Sequence, residues 1–258
     1  MPFDKSEFFQ HEGARIAYRR TSGEPGRAGV VWLGGFHSDM AGEKASSLHA
    51  AAASAGRAFV RFDYFGHGES EGAFAEGTVG RWRSDALSVI DELTDGPLVL
   101  AGSSMGGWMA LLAALARPLR VKGLLLLAPA PDFTERLMWA GFDETVRKQI
   151  MEAGAWTRPS PYDPGGYPIT RRLIEEGRDW QIMDRPIALD IPVAILQGRR
   201  DEDVPWSYAR QLVERIAGEA VTFTLVKDGD HRLSRPQDIA LMIRSALALA
   251  DQVDAVSA

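Results

Sequence analysis

Short apolar runs alternate along the chain with longer segments that carry apolar residues at helical spacing. The runs are apolar at consecutive positions, which is typical of strands buried on both faces of a parallel sheet. They are GVVWLGG, RAFVRFDY, PLVLAGSS, VKGLLLLAPA, VAILQG and VTFTLV. The helical segments between and after them are GEKASSLHAAAASAG, TVGRWRSDALSVIDELTDG, MGGWMALLAALARP, WSYARQLVERIAG and PQDIALMIRSALALADQV. This alternation predicts an α/β fold, with a mostly parallel sheet covered by helices on both faces.

Two segments depart from this rhythm. RIAYRR, near the start of the chain, alternates between polar and apolar residues and predicts an edge strand. Residues 131–189 are rich in Trp, Met, Pro and Arg, and predict short helices joined by loops. We interpret them as a small helical cap inserted into a single domain that spans residues 1–258.

The composition narrows the possible partners and location. The net charge is −6 and there is no run of five basic residues, which argues against nucleic acid and anionic membranes as partners. There is no cysteine, so disulfides, cysteine nucleophiles and thiolate metal sites are excluded. No apolar stretch is long enough to span a bilayer, so no integral membrane segment is expected. MPFDKSEFFQHEG resembles neither a secretory signal nor a transit peptide, which predicts a cytoplasmic location.

The stretch LAGSSMGGW carries the strongest chemical signal. Residues 102–106 fit G-x-S-x-G, the nucleophile elbow, and they lie between a predicted strand and a predicted helix. The register makes Ser104 the nucleophile and gives Met105 N–H a place in the oxyanion hole. Ser103 occupies the variable position. A Gly/Ser loop whose hydroxyl only caps the helix is the alternative.

A serine nucleophile needs a base and a group that orients the base. In this fold the chain order is Ser, then Asp or Glu, then His. His231 is the one histidine after the elbow, in a loop after the last predicted strand. Asp201 follows the strand VAILQG and is the preferred acid. Asp203 is the second choice and Asp230 the third.

A second oxyanion donor is expected from the loop after an earlier strand. WLGGFHSD fits, with Phe36 N–H as the donor, because Gly34 and Gly35 let the backbone approach a substrate. In FDYFGHGES, Asp63 and Ser70 are expected to hold the loop. No metal-binding or phosphate-binding motif is present, and we expect neither a metal nor another cofactor.

The chain resembles the α/β-hydrolase superfamily along nearly its whole length. It is more narrowly similar to the abhydrolase subfamily of palmitoyl-protein thioesterase and mycophenolic acid acyl-glucuronide esterase. The likeness rests on RIAYRR, RFDYFGHGES, GRWRSDALSVIDELTDGPLVLAGSSMGGW, ARP, DEDVPW and DHR. The resemblance implies the same nucleophile, acid and base, Ser104, Asp201 and His231. The chain differs from many superfamily members because it has Gly34-Gly35 where they have His-Gly. Unlike the mitochondrial members, it is expected to have no targeting extension.

The expected function is hydrolysis of carboxylic esters or thioesters of small molecules through an acyl-enzyme, including acyl-glucuronide substrates. The cap is expected to set specificity, with Trp139, Phe142 and Tyr167 lining an acyl channel, although a small core within the cap explains the same residues. Trp108 is expected in the core. The alternatives are hydrolysis of C–C bonds or amides with the same triad, and a slow hydrolase that serves as a ligand-binding receptor. The sequence does not indicate an oligomeric state.

Overall fold

An eight-stranded sheet forms the centre of the protein. The computed structural model describes residues 5–159 and 165–257. Ten strands occur in this part of the chain: β1 (Glu7–His11), β2 (Ala14–Thr21), β3 (Gly29–Leu33), β4 (Phe59–Phe62), β5 (Leu98–Ser103), β6 (Val121–Leu127), β7 (Ala155–Arg158), β8 (Tyr167–Thr170), β9 (Val193–Gly198) and β10 (Val221–Val226). The order in the large sheet is β1-β2-β4-β3-β5-β6-β9-β10. Only the pairings of β1 with β2 and of β2 with β4 are antiparallel in it, which confirms the predicted mostly parallel sheet.

Helices cover both faces of this sheet, as predicted. They are α1 (Glu43–Ser54), α2 (Val79–Leu93), α3 (Met105–Ala116), α4 (Glu144–Ala153), α5 (Arg171–Gly177), α6 (Trp206–Arg215) and α7 (Pro236–Ser257). Leu48 of α1 and Met242 of α7 belong to the buried cluster on one face. Trp82 of α2, Leu111 of α3 and Leu212 of α6 belong to the cluster on the other face. The central strands are apolar throughout because each of their faces packs against helices.

The prediction that RIAYRR forms an edge strand is wrong. These residues lie in β2, which pairs with β4 on one side and with β1 on the other. The edge position belongs to β1, whose residues EFFQH are mostly exposed. A strand with so little buried surface has no clear pattern of apolar positions, so β1 gave no signal in the sequence.

The segment between β6 and β9 forms a separate layer of short elements. It contains a π-helical turn (Thr134–Trp139), α4, the antiparallel hairpin of β7 and β8, α5 and a 3₁₀ turn (Arg178–Trp180). The short helices match the expectation for residues 131–189, whereas the hairpin was not predicted; residues 160–164 of this segment lie outside the described residues. Ile150, Ile169 and Leu173 are buried in the same cluster as the helices below them. The division into one domain with an inserted cap stays a prediction.

Asp132 joins the two ends of this segment. Its Oδ1 accepts a hydrogen bond from Ile182 N–H and its Oδ2 accepts one from Met183 N–H, each at 2.9 Å. The residue is fully buried, and burial raises the pKa of its carboxyl group. Arg136 lies 3.4 Å from the same carboxylate. Residues about fifty positions apart in the sequence are therefore held together at the base of the segment.

Candidate active site

Ser104 stands on a strained turn between β5 and α3. Its backbone has φ 54° and ψ −116°, a combination that costs energy for a residue with a side chain. Its N–H donates to Leu127 C=O of β6 at 2.9 Å, so the turn begins directly at the end of the sheet ladder. Ser104 is partly exposed, whereas Ser103 is buried. The geometry thus presents the hydroxyl of Ser104 at the surface, as the elbow register predicts.

The glycines beside Ser104 are required by close backbone contacts. A Cβ on Gly102 would lie 2.3 Å from Gly106 C=O, and a Cβ on Gly106 would lie 2.0 Å from Leu33 C=O. Both separations are shorter than any real contact of a Cβ atom, so a side chain at either position would displace the backbone. These contacts explain why the tight turn carries glycine two residues before and two residues after Ser104.

Three predicted site residues form one chain of hydrogen bonds. His231 Nε2 lies 3.1 Å from Ser104 Oγ, and His231 Nδ1 lies 2.8 Å from Asp201 Oδ2. The ring is 24% exposed, whereas the Asp201 side chain is fully buried. Because a carboxylate only accepts, Nδ1 carries the proton and the lone pair of Nε2 faces the hydroxyl. This tautomer is the one that can take a proton from Ser104.

The carboxylate of Asp201 is held by four donors. Oδ1 accepts from Val204 N–H at 2.7 Å and from Asp203 N–H at 3.0 Å. Oδ2 accepts from Gln197 Nε2 at 2.9 Å in addition to the imidazole. These bonds fix its orientation and satisfy a buried charge.

The two alternative acids occupy other positions. The side chain of Asp203 is 61% exposed and lies 3.9 Å from the guanidinium of Arg158 in β7. Asp230 accepts a hydrogen bond from Leu233 N–H at 3.0 Å and so holds its own turn. Of the three acids considered from the sequence, Asp201 is the one hydrogen-bonded to the imidazole of His231.

The loop after β3 lies against the elbow. The position of a Cβ on Gly35 is 3.4 Å from Ser103 C=O and 3.6 Å from Ser104 Cβ, so the backbone runs close to the hydroxyl. Within the described residues, Phe36 N–H donates to no backbone or side-chain acceptor. Met105 is the first residue of α3, where a helical N–H has no intrahelical acceptor. Neither of the two predicted donors therefore has an acceptor among the described residues.

Hydrogen bonds made by Asp63 and Ser70 hold the loop after β4, as the sequence predicts. Asp63 accepts from Met40 N–H at 2.6 Å and from Glu69 N–H at 2.8 Å. Ser70 Oγ donates to Asp63 C=O at 2.6 Å and accepts from Ala17 N–H at 2.8 Å. Burial raises the pKa of Asp63 to about 6.

An aromatic wall surrounds the Phe36 side chain, and one predicted cap residue belongs to it. Phe36 packs edge to face against Tyr167 at 5.6 Å and against Phe74 at 4.9 Å between ring centroids. Tyr167 also stacks on His37 at 4.9 Å. The cap hairpin thereby contacts the loop that carries one of the free N–H groups.

The other two predicted cap residues pack within the cap. Phe142 contacts Trp156 at 5.3 Å between ring centroids, and the guanidinium groups of Arg147 and Arg178 lie 5.4 and 5.6 Å from the ring centroid of Trp139. These contacts fit the alternative of packing within the cap, and both side chains also pack against the large buried cluster. Trp108 is fully buried in the main core, as expected.

Gln197 also contacts this site, although the sequence analysis did not identify it. It is fully buried in β9 and donates to Asp201, to Val204 C=O and to Gly198 C=O. The signal was present, because a single amide in the otherwise apolar run VAILQG needs a buried partner.

Asp201, Asp203 and His231 also have atoms within 4.8 Å of one another, a grouping that offers ligands of the kind metals use. Both nitrogens of the imidazole are already engaged, with Ser104 and with Asp201. The arrangement therefore favours proton transfer at Ser104 over binding of a cation.

Comparison with known proteins identifies the family of this chain. A family model described as serine aminopeptidase, S33 (Hydrolase_4) matches residues 24–160. The mouse mitochondrial palmitoyl-protein thioesterase ABHD10 is 40% identical over 242 residues, which cover 93% of this chain and 80% of that protein. The chain belongs to the ABHD10 family of α/β hydrolases.

Two solved structures are similar to this chain along nearly its whole length. The mouse alpha/beta hydrolase domain-containing protein 10 matches with a TM-score of 0.88 and 38% identity, over 96% of this chain and 99% of that one. A putative hydrolase from Agrobacterium vitis S4 matches with a TM-score of 0.91 and 41% identity, over 95% and 98% of the two chains. As a member of this family the protein is an enzyme that hydrolyses esters or thioesters.

The ABHD10 relatives correct one prediction. They are named as mitochondrial proteins, so the expectation of a cytoplasmic location is wrong. That expectation rested on the first residues of the sequence, and the point at which a given sequence begins does not determine where the protein is located. Among the helices of the described chain, none combines the length and the apolar character that a membrane span requires.

Proposed function

We propose that the protein is a serine thioesterase that removes long acyl chains from thioesters, with protein-bound palmitoyl groups as the substrate class. The observation that carries the mechanism is the hydrogen-bonded chain from Ser104 through His231 to Asp201. The substrate class is taken from the ABHD10 relatives, which are named palmitoyl-protein thioesterases.

In the first half of the reaction, Ser104 Oγ attacks the acyl carbonyl and its proton passes to His231 Nε2. The carbonyl oxygen becomes an anion, and the N–H groups of Phe36 and Met105 stabilise it. The tetrahedral intermediate then collapses. His231 gives its proton to the departing thiolate, and the acyl group stays on Ser104 as an ester.

In the second half, water attacks the acyl-enzyme and His231 takes its proton. The second intermediate expels Ser104, which recovers its proton as the fatty acid is released. Asp201 keeps the imidazole in the required tautomer through both halves and stabilises the imidazolium when it forms. The four donors to its carboxylate keep the acid in one orientation throughout.

A pair of neighbouring serines provides the test. Ser104→Ala is expected to abolish labelling by a fluorophosphonate and to lower thioesterase turnover on the order of 10⁴-fold or more, because the nucleophile is lost. Ser103→Ala is the matched control, since Ser103 is adjacent but buried, and it is expected to keep most of the activity. Turnover is measured with acyl thioesters and p-nitrophenyl esters of increasing chain length.

Other outcomes separate the alternatives. Loss of labelling in Ser103→Ala alone would show that the register of the elbow is wrong. Cleavage of aminoacyl p-nitroanilides in preference to thioesters would favour amide hydrolysis. Tight binding of an acyl ligand without turnover would favour a receptor.

A further inference from the structure

His67 is a buried histidine that the mechanism above does not use. It lies after β4 in the loop sequence GHGES and is 4% exposed. Its ring packs edge to face against Phe74 at 5.1 Å and against Trp82 at 5.3 Å. Both of these rings also pack against Phe36, at 4.9 and 5.7 Å. His67 therefore supports the same aromatic wall as the loop after β3.

The hydrogen bonds of His67 determine its tautomer. Nδ1 lies 3.2 Å from Phe65 C=O, which only accepts, so Nδ1 carries the proton. Nε2 lies 3.2 Å from His37 N–H, which only donates, so Nε2 is the acceptor. One neutral tautomer satisfies both neighbours, and the protonated ring would lose the bond to His37. Burial lowers the pKa of His67 to about 4, which keeps the ring neutral at ordinary pH.

The bond from His37 comes from a strained position. His37 has φ 56°, a left-handed conformation that residues with side chains adopt at a cost. Its N–H belongs to the peptide that directly follows Phe36. The ring of His67 thus fixes the backbone at the residue after the proposed oxyanion donor, while the aromatic contacts fix the Phe36 side chain.

We propose that His67 is a positioning residue for the oxyanion hole: by accepting from His37 N–H, it holds the loop after β3 so that Phe36 N–H faces the oxygen of the tetrahedral intermediate. The inference rests on the proposed function, because it presumes that Phe36 is an oxyanion donor. His67 acts through the backbone, because its hydrogen bonds join it to His37 N–H and Phe65 C=O and not to Ser104. Its effect should appear in the transition state and not in substrate binding.

Two replacements of His67 separate the hydrogen bond from packing. His67→Phe keeps an aromatic ring but has no acceptor, and it is expected to lower kcat about 10- to 100-fold with KM within about twofold, because a displaced donor weakens oxyanion stabilisation. His67→Gln places an amide oxygen near the position of Nε2 and is expected to recover most of kcat. If His67→Phe is insoluble, His67→Asn replaces it, since its shorter side chain also leaves His37 N–H without an acceptor.

His49 provides the matched control. It is also a buried histidine, stacked on Phe59 at 4.6 Å, but it belongs to α1 on the opposite face of the sheet. His49→Phe is expected to change Tm without lowering kcat. An equal loss of kcat in His49→Phe would assign the effect to general destabilisation and overturn the inference.

A trifluoromethyl ketone inhibitor measures the oxyanion hole directly, because its adduct with a serine carries an anionic oxygen. Its affinity for His67→Phe is expected to fall by the same factor as kcat/KM, and His67→Gln is expected to restore it. Unchanged affinity in His67→Phe would overturn the positioning role. If the wild type forms no adduct, or Ser104→Ala still forms one, the proposed function itself fails, and the positioning role fails with it.

Discussion

Replacement of Asp201 by asparagine tests how the imidazole is oriented. Asparagine has one acceptor oxygen and one NH₂ group, whereas the carboxylate accepts four hydrogen bonds on two oxygens. The N–H groups of Asp203 and Val204 belong to the backbone and cannot turn away, whereas the amide of Gln197 belongs to a side chain that can rotate. The amide oxygen is therefore expected at the Oδ1 position, and the NH₂ group at the Oδ2 position faces His231 Nδ1.

In that orientation Nδ1 has to accept, so the neutral ring carries its proton on Nε2 and cannot take the proton of Ser104. The reverse orientation preserves the productive tautomer but leaves two buried backbone N–H groups facing an NH₂ group. Each unpaired donor costs about 1–3 kcal/mol, so the penalty is roughly 2–6 kcal/mol. At about 1.4 kcal/mol per tenfold, the productive orientation is populated at about 4% down to about 0.005%.

We therefore expect Asp201→Asn to lower kcat by about 30-fold to 10⁴-fold, the upper figure being typical of this substitution in a Ser-His-Asp triad. The assay is steady-state hydrolysis of an acyl thioester, with circular dichroism to verify the fold. Asp203→Asn is the matched control, because Asp203 is exposed and contacts Arg158 across 3.9 Å, and we expect a change within about threefold. Equal losses in the two variants, or a loss in Asp203→Asn alone, would refute the assignment of the acid.

Three further predictions concern the cap, the pH dependence and the elbow. Tyr167→Ala should change the ratio of kcat/KM between long and short acyl thioesters, because Tyr167 packs on the loop that carries Phe36. Trp139→Ala should change kcat/KM by the same factor at every chain length. Identical chain-length profiles for the two variants would contradict this. The pKa of His67 is about 4 in the folded protein and 6.5 ordinarily, so the unfolded chain binds the proton first as the pH falls. The wild type should therefore lose about 2 kcal/mol of unfolding free energy between pH 7 and 4.5, whereas His67→Gln should not. The same pH dependence in urea denaturation of both proteins would contradict this. Gly106→Ala should lower Tm by at least about 5 °C and abolish activity, because its Cβ would lie 2.0 Å from a carbonyl of β3, whereas Gly141→Ala meets nothing within 4 Å and should be neutral; equal Tm values would refute the steric argument.

The fold was largely predictable because burial on both faces leaves a continuous apolar signal. All of β5 is buried, and its sequence LVLAGS shows this directly. The signal disappears where strands are partly exposed, so the sequence pattern reveals neither β1 nor the hairpin of β7 and β8, and it gives β2 the appearance of an edge strand. The hairpin strands have four residues each, and their sequences AWTR and YPIT have no pattern that distinguishes them from loops.

The candidate site was predictable where the topology determines it. A nucleophile between strand and helix, and two partners in loops at the same edge of a parallel sheet, follow from chain order. Chain order alone does not separate Asp201 from Asp203, and the preference for Asp201 rests on its place after the strand VAILQG and on the family resemblance. In the structure it is the carboxylate of Asp201 that is hydrogen-bonded to Nδ1. Nor could the sequence reveal the role of His67, whose bond to His37 joins two loops thirty residues apart. The catalytic roles of these residues stay predictions.

The hydrogen bonds that Asp132 accepts from Ile182 and Met183 have a consequence for how such enzymes diversify. Because one carboxylate accepts from Ile182 N–H and Met183 N–H, the two ends of the segment between Asp132 and these residues are held side by side. The entropy of closing such a loop grows only slowly with its length, so we expect insertions between these ends to cost little stability. A replacement segment would also have to bury the equivalents of Ile150, Ile169 and Leu173 against the core, and to pack on Phe36 as Tyr167 does. Diversification is therefore expected in the length and the exposed residues of the segment, while its buried contacts are kept.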